Sequence, residues 1–271
     1  MKAILTDTTK CIGCYACAEA CRRANHTGKD RPWAWVRGDG LSSDSWTTVI
    51  RRPSQHYVRK QCRHCLKPAC ASACPVGALH RTELGAVVYD ADKCMGCRYC
   101  MMACPYGIPR YKWESPIPKV RKCILCKDRI AAGKQPACTE ACPAQATIFG
   151  ERDALLREAH ARIKKDKKYL PRVWGESEVG GTAVLYVSDI DLSFLAVNGK
   201  HLGKEPLPGL TGPVLHSVPY IFLGVATFMT GTYLIIERRR KLMGGVPEPH
   251  PGPSEPAPSP AATSGEKEGQ P

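Results

Sequence analysis

Apolar positions come in short runs along the first two-thirds of the chain and fuse into one long run near the end. TTVI at 47–50 and AVVYD at 86–90 have the length and β-branched content of short strands, the second following a turn at Gly85. TAVLYVS at 182–188 is apolar throughout its middle and predicts a buried strand. In ERDALLREAHARIKKDKK at 151–168, Leu155, Ala159 and Ile163 recur every four residues, the pattern of a surface helix with one apolar face. From Pro213 to Ile236 the 24 residues PVLHSVPYIFLGVATFMTGTYLII contain no Asp, Glu, Lys or Arg. That length spans a bilayer as a helix, with Pro219 tolerable in its first turns and His216 near an interface. A buried core helix is the competing reading; ERRRK at 237–241, directly after the run, favours the membrane. The tail 244–271 holds eight prolines among Glu, Ser, Ala and Gly and is expected to be disordered.

Cysteine is the dominant feature of the composition. All sixteen lie between Cys11 and Cys142, in four groups: Cys11, Cys14, Cys17, Cys21; Cys62, Cys65, Cys70, Cys74; Cys94, Cys97, Cys100, Cys104; and Cys123, Cys126, Cys138, Cys142. Groups one and three share one spacing, and the tails ACPVGAL and ACPAQATIF of groups two and four resemble each other. Disulfide scaffolds are usually short secreted domains, and tight repeated spacing suits chelation better than distant crosslinks. The 271 residues allow one substantial core or two small ones. MKAILTDTTKCIGC has no apolar h-region, so no signal peptide is expected, and neither Arg22-Arg23 nor Arg51-Arg52 precedes a hydrophobic run.

In KCMGCRYCMMACP, from Lys93 to Pro105, three thiols within seven residues can surround a cubane cluster, whereas zinc commonly takes two separated pairs. Cys104 falls a helical turn later, before Pro105, badly placed to close the same centre. In two-cluster ferredoxins the fourth cysteine of this motif serves the other cluster, so such motifs come in pairs. Spacing implies crossing without deciding which groups pair. Four [4Fe–4S] clusters are the expected cofactors. The formal charge of +14 then loses its nucleic-acid meaning: four clusters of about −2 each absorb roughly eight basic charges. No aromatic–basic motif accompanies the excess.

Gly13 and Gly96 sit inside the binding loops, where backbone must approach sulfur. Lys10, Lys93, Arg98, Lys122 and Lys127 lie near enough in sequence to raise cluster potentials, although each taken singly reads as a solvated surface charge. Trp33, Trp35 and Trp46 are expected to pack over the centres and exclude water. His64 and His80 are left without a ligand role because every iron position is filled. There is no P-loop, no G-x-G-x-x-G and no other catalytic constellation, so the pattern describes a wire and no catalytic residues are assigned.

Over residues 5–190 the chain resembles the four-cluster iron–sulfur (beta) subunits of molybdopterin oxidoreductases and membrane-bound nickel–iron hydrogenases. KQCRHCLKPACASACPVGAL and CMGCRYCMMACPYGIPRY are similar to the hydrogenase-associated members. RKCILCKDRIAAGKQPACTEACPAQATIFG and EVGGTAVLYVSD resemble the respiratory formate dehydrogenase subunit, which also ends in one transmembrane helix. Arg22 departs from the family's proline after the fourth cysteine, without removing a ligand. The resemblance implies that Cys11, Cys14, Cys17 and Cys142 hold one cluster and Cys21, Cys123, Cys126 and Cys138 a second. Cys62, Cys65, Cys70 and Cys104 would hold a third, and Cys74, Cys94, Cys97 and Cys100 a fourth.

The expected architecture is α+β: two bacterial ferredoxin-like dicluster modules with nested connectivity and a C-terminal single transmembrane helix. Residues 1–150 would form the tetracluster domain, with 1–30 and 115–150 in one module and 55–112 in the other; 151–212 the helix and strand extension; and 213–236 the anchor. Its partners would be a large catalytic subunit, formate dehydrogenase first and hydrogenase or another molybdopterin enzyme second, and a membrane cytochrome b or quinone-reactive subunit. Nucleic acid is not expected. Arg238, Arg239, Arg240 and Lys241 after the helix outweigh Lys200 and Lys204 before it. In an inner membrane this puts the tail in the cytoplasm and the cluster domain in the periplasm, exported with a partner. The readings from other classes are a zinc-rich interaction protein, which would be colourless, and a self-contained enzyme, for which no iron position is open.

Overall fold

In the computed structural model, described for residues 1–27, 39–113 and 120–244, the N-terminal strand β1 (Lys2–Asp7) organises everything that follows. Its residues Ala3, Ile4 and Leu5 are almost wholly buried, each such side chain contributing about 1.5–3 kcal/mol when large and fully enclosed. After the short helix α1 (Ala16–Ala24) come β2 (Thr47–Arg52) and β3 (His56–Gln61), antiparallel with Val49 opposite Arg59. Helix α2 (Ala69–Ser72) leads to the hairpin β4 (Leu79–Arg81) and β5 (Val87–Tyr89). Helix α3 (Tyr99–Ala103) leads to β6 (Arg110–Tyr111), paired with β7 (Val120–Arg121). Helices α4 (Lys127–Ala131) and α5 (Ala137–Glu140) precede β8 (Thr147–Glu151).

β8 returns to β1 and pairs antiparallel with it, Thr6 opposite Thr147. The two ends of the cysteine-bearing region are thereby zipped together, and α1 packs on α5. The hairpin β4–β5 does the same on a shorter loop: Leu79 faces Tyr89, and α2 packs on α3. Helix α6 (Arg152–Lys165) lays Leu155 and Ala159 against Ala3, Leu5 and Leu185, with Ile163 partly covered, as its spacing predicts. Strand β9 (Val184–Val187), fully buried, completes a three-stranded sheet in the order β8-β1-β9, parallel to β1. It also fastens the sheet to the second cysteine loop, because the Ala183 N–H donates to the His64 carbonyl at 3.0 Å.

The chain divides into two units, Met1–Leu215 and His216–Pro271. The long helix α7 (Leu207–Leu242) has 36 residues, begins six residues before the predicted run and ends six after it. It is the one helix among the described residues long and apolar enough to cross a membrane, and it buries no residue. Trp33, Trp35 and the tail beyond Gly244 lie outside the described residues.

Candidate metal centres

All four cysteine loops bend alike. Two residues after the first cysteine of each group the backbone is left-handed: Gly13 at φ +70°, His64 at +47°, Gly96 at +77° and Leu125 at +57°. The bend turns a peptide N–H back toward the sulfur just passed, as Leu125 N–H meets Cys123 Sγ at 3.4 Å. At Gly13 a Cβ would stand 2.5 Å from the Tyr57 ring, so both the torsion and the space call for glycine. His64 and Leu125 hold the same torsion at a cost of about 1–2 kcal/mol each.

A second turn follows the fourth cysteine. The N–H groups of Gly77, Gly107 and Gln145 donate to the carbonyls of Cys74, Cys104 and Cys142 at 3.3, 3.0 and 3.2 Å. In each case the proline after the cysteine offers no N–H and disfavours helical torsions in the residue before it; Cys104 is accordingly extended, at φ −78° and ψ 114°. Where Arg22 replaces proline, α1 runs straight through Cys21 to Ala24.

The loops bring the thiols into four neighbourhoods. Cys11 is surrounded by Cys142 and Cys14, and Cys17 has Cys11 and Cys142 beside it. These four line an apolar-walled cavity of about 390 Å³, its mouth included. Cys74, Cys94, Cys97 and Cys100 line another of about 310 Å³. Cys138 lies beside Cys21, Cys126 and Cys123, and Cys62, Cys70 and Cys104 lie around Cys65. Among the described residues no group of three or more His, Cys, Asp or Glu is arranged to hold a single metal ion, as a zinc site requires.

The 4Fe-4S dicluster domain family matches residues 54–152, and the 4Fe-4S binding domain family residues 4–23. A protein of Nitratidesulfovibrio vulgaris is 40% identical over 255 residues, covering 88% of this chain and 68% of its own. The hydrogenase-2 operon protein HybA of Escherichia coli O157:H7 is 36% identical over 228 residues, 69% of this chain and 70% of its own. The iron-sulfur subunit of the nitrate-inducible formate dehydrogenase of Escherichia coli K12 is 36% identical over 199 residues, 68% of this chain and 67% of its own. The chain belongs to the iron–sulfur subunit family of oxidoreductases. This iron–sulfur subunit is an electron-transfer component, non-catalytic by itself; its cofactors are [4Fe–4S] clusters, and its sixteen cysteines are consistent with four of them.

The residues present fit such a cofactor. Burial pushes Cys21 and Cys70 up to about 12 and Cys17 and Cys100 up to about 11, so these thiols stay protonated at neutral pH unless a cation displaces the proton. The Arg59 guanidinium is buried, lines the first cavity, and has none of its three nitrogens hydrogen-bonded among the described residues. An anionic cluster held in that cavity would supply the counter-charge it lacks.

Two groups of the iron–sulfur subunit that the sequence names take places it did not assign them. His64 accepts the Val87 N–H on Nδ1 at 2.9 Å, which leaves the proton on Nε2, 3.5 Å from Cys123 Sγ. Burial first and Lys122 second hold the imidazole far below its ordinary pKa, so it stands as a neutral donor to that sulfur. Lys122 is buried, not solvated as expected: its Nζ donates to the Val87 and Cys123 carbonyls and its charge lowers the Cys70 thiol. Lys10, Lys93, Arg98 and Lys127 are exposed, as predicted. Trp46 packs with Cys21, Cys62 and Cys123 in one apolar group, its Nε1–H donating to the Ser43 carbonyl at 2.7 Å. His64 carried one legible signal, its place between two ligands in CRHC; Arg59 carried none.

Raised thiol pKa values favour the protonated form in the folded chain. That contribution to cluster-free stability is whole below the ordinary value of 9.0 and disappears as pH climbs through about 11 to 12. Ligation has the opposite sign, since each thiol must give up its proton. Chemical reconstitution of the cluster-free subunit is therefore expected to run faster at about pH 8.5 than at about pH 7. Absorbance near 400 nm follows it; a rate that is flat or falls with pH would contradict the account.

Proposed function

We propose that the subunit relays single electrons through four clusters in a row, between a large catalytic subunit and a quinone-reactive or cytochrome b partner in the membrane. The ligand sets are the crossed ones: Cys11, Cys14, Cys17 with Cys142; Cys123, Cys126, Cys138 with Cys21; Cys62, Cys65, Cys70 with Cys104; and Cys94, Cys97, Cys100 with Cys74. The observation that carries this reading is which thiols feel one another. Within each set they lie near one another, and the couplings between sets run in sequence. Cys17 feels Cys138, Cys123 feels Cys62, and Cys70 feels Cys100. That order supports a single line with its two cavities at opposite ends of the series. It also supports two nested dicluster modules, residues 1–30 with 115–150 enclosing 55–112, followed by the extension 151–212 and the anchor 213–236.

Each bound cluster accepts and returns one electron. The chain's part is to hold the clusters within a buried core, to donate N–H groups to their sulfurs, and to keep water away. For the catalytic partner, formate dehydrogenase is one reading; the longer match to the hydrogenase-2 operon protein, 228 residues against 199 at the same identity, favours a hydrogenase as the second. For orientation, the basic stretch Arg238, Arg239, Arg240 and Lys241 supports a cytoplasmic tail and periplasmic clusters.

Cys104→Ser is expected to abolish or convert one cluster of four, lowering iron by roughly a quarter at most; unchanged iron and EPR signals would remove Cys104 from the ligand set. In the purified complex, formate should reduce the clusters if the partner is formate dehydrogenase and hydrogen if it is a hydrogenase. Reduction by neither, with dithionite still effective, excludes both partners. Protease applied to spheroplasts should digest the cluster domain without lysis, and protection until lysis reverses the proposed orientation.

A further inference from the structure

Resting on the relay reading, we propose that Arg59 is the built-in counter-charge of two particular clusters, those of Cys11, Cys14, Cys17, Cys142 and of Cys21, Cys123, Cys126, Cys138, and that it raises their reduction potentials relative to the other two. It is a positioning residue: it ligates nothing and acts through charge.

Arg59 lies in β3, three residues before Cys62, and is 1% exposed. Its backbone is pinned, since the Tyr186 hydroxyl donates to its carbonyl at 2.8 Å. Its Nε, Nη1 and Nη2 are all buried, with no hydrogen-bond partner among the described residues. Four residues along, Arg63 shows how this fold treats a buried guanidinium it means to neutralise. Arg63 stands 3.8 Å from Glu178, donates to the Val184 carbonyl at 3.5 Å, and lies over the Tyr186 and Tyr106 rings at 4.2 and 5.0 Å.

Among the described residues Arg59 has no such carboxylate. It borders the cavity of Cys11, Cys14, Cys17 and Cys142, whose other walls include Thr6, Val49 and Thr147. Burial would depress its pKa, yet it is raised, because Cys138, Cys17, Tyr186 and Cys123 stand close enough to offset its charge once ionised. Two of these thiols belong to one set and one to the adjoining set, so the cation stands where the two sets meet. An unpaired guanidinium in a dry interior is strongly unfavourable, and anionic clusters on either side relieve it.

The consequence is directional. A permanent positive charge stabilises whichever redox state carries the extra electron, so reduction of both neighbouring clusters becomes easier. The set of Cys62 has other local cations, Lys122 beside Cys70 and Arg63 beside Cys65. Arg59 thus sets a difference in potential between the two halves of the relay.

The test is an EPR-monitored redox titration of the anaerobically purified complex, with signals assigned through Cys142→Ser and Cys138→Ser. In Arg59→Gln, two clusters should become at least tenfold harder to reduce at a given potential, a shift of about −59 mV for a one-electron couple. The other two should stay put, and Arg59→Lys should recover most of the shift. Full iron content with unchanged potentials in Arg59→Gln would overturn the proposal, as would an equal shift of all four clusters. Should Arg59→Gln lose clusters, loss confined to the same two, with Arg59→Lys loaded and near wild-type, supports it; loss of all four overturns it. Failure of the relay reading itself is separate, because wild-type material would then lack four clusters' worth of iron.

Discussion

Burying sulfur anions is the demand that shapes this molecule. A thiolate in an apolar interior is strongly disfavoured, and the thiols of Cys17, Cys21, Cys70 and Cys100 are accordingly pushed up to about 11 or 12. Iron replaces the protons, N–H groups bend back onto the sulfurs, and three buried donors or cations, Arg59, His64 and Lys122, stand among the loops. The basic excess of the chain divides accordingly. A few positive charges are enclosed beside sulfur, and Lys10, Lys93, Arg98 and Lys127 face solvent.

Strand pairing answers the same demand at longer range. Neither a loop nor a single helix can enclose a cluster alone, so thiols from distant loops have to be brought together. β1 and β8 bring the first and last cysteine groups together, and the β4–β5 hairpin brings the second and third. Stability and the electron path are therefore not separable: a slip in the Thr6–Thr147 register would also move Cys142 away from Cys11.

The loops show how much local chemistry is repeated and how much is improvised. Four first-cysteine turns share one left-handed torsion, yet glycine serves only two of them, and His64 and Leu125 take the strain in the others. His64 repays it by reaching from a loop that carries Cys62 and Cys65 to the sulfur of Cys123. The substitution of Arg22 for proline lengthens α1 past Cys21, while proline breaks the chain direction after Cys74, Cys104 and Cys142.

Much of this was legible in the amino-acid order. Cysteine spacing announced four iron–sulfur centres, since spacing is local and three thiols in one loop admit few other uses. The α6 face, the buried strand β9 and the apolar run inside α7 followed from periodicity alone. The strand β1 and its return partner β8 were not foreseen, because short strands declare themselves only by the neighbour they pair with. Tertiary structure alone decided which charges are enclosed. Lys122 reads as a surface lysine and Arg59 as one basic residue in HYVRKQ, and only packing against distant segments, β5 for Lys122 and the first and last cysteine loops for Arg59, makes either a buried cation beside sulfur. Desolvation depends on what arrives from a distance, and no local pattern encodes it.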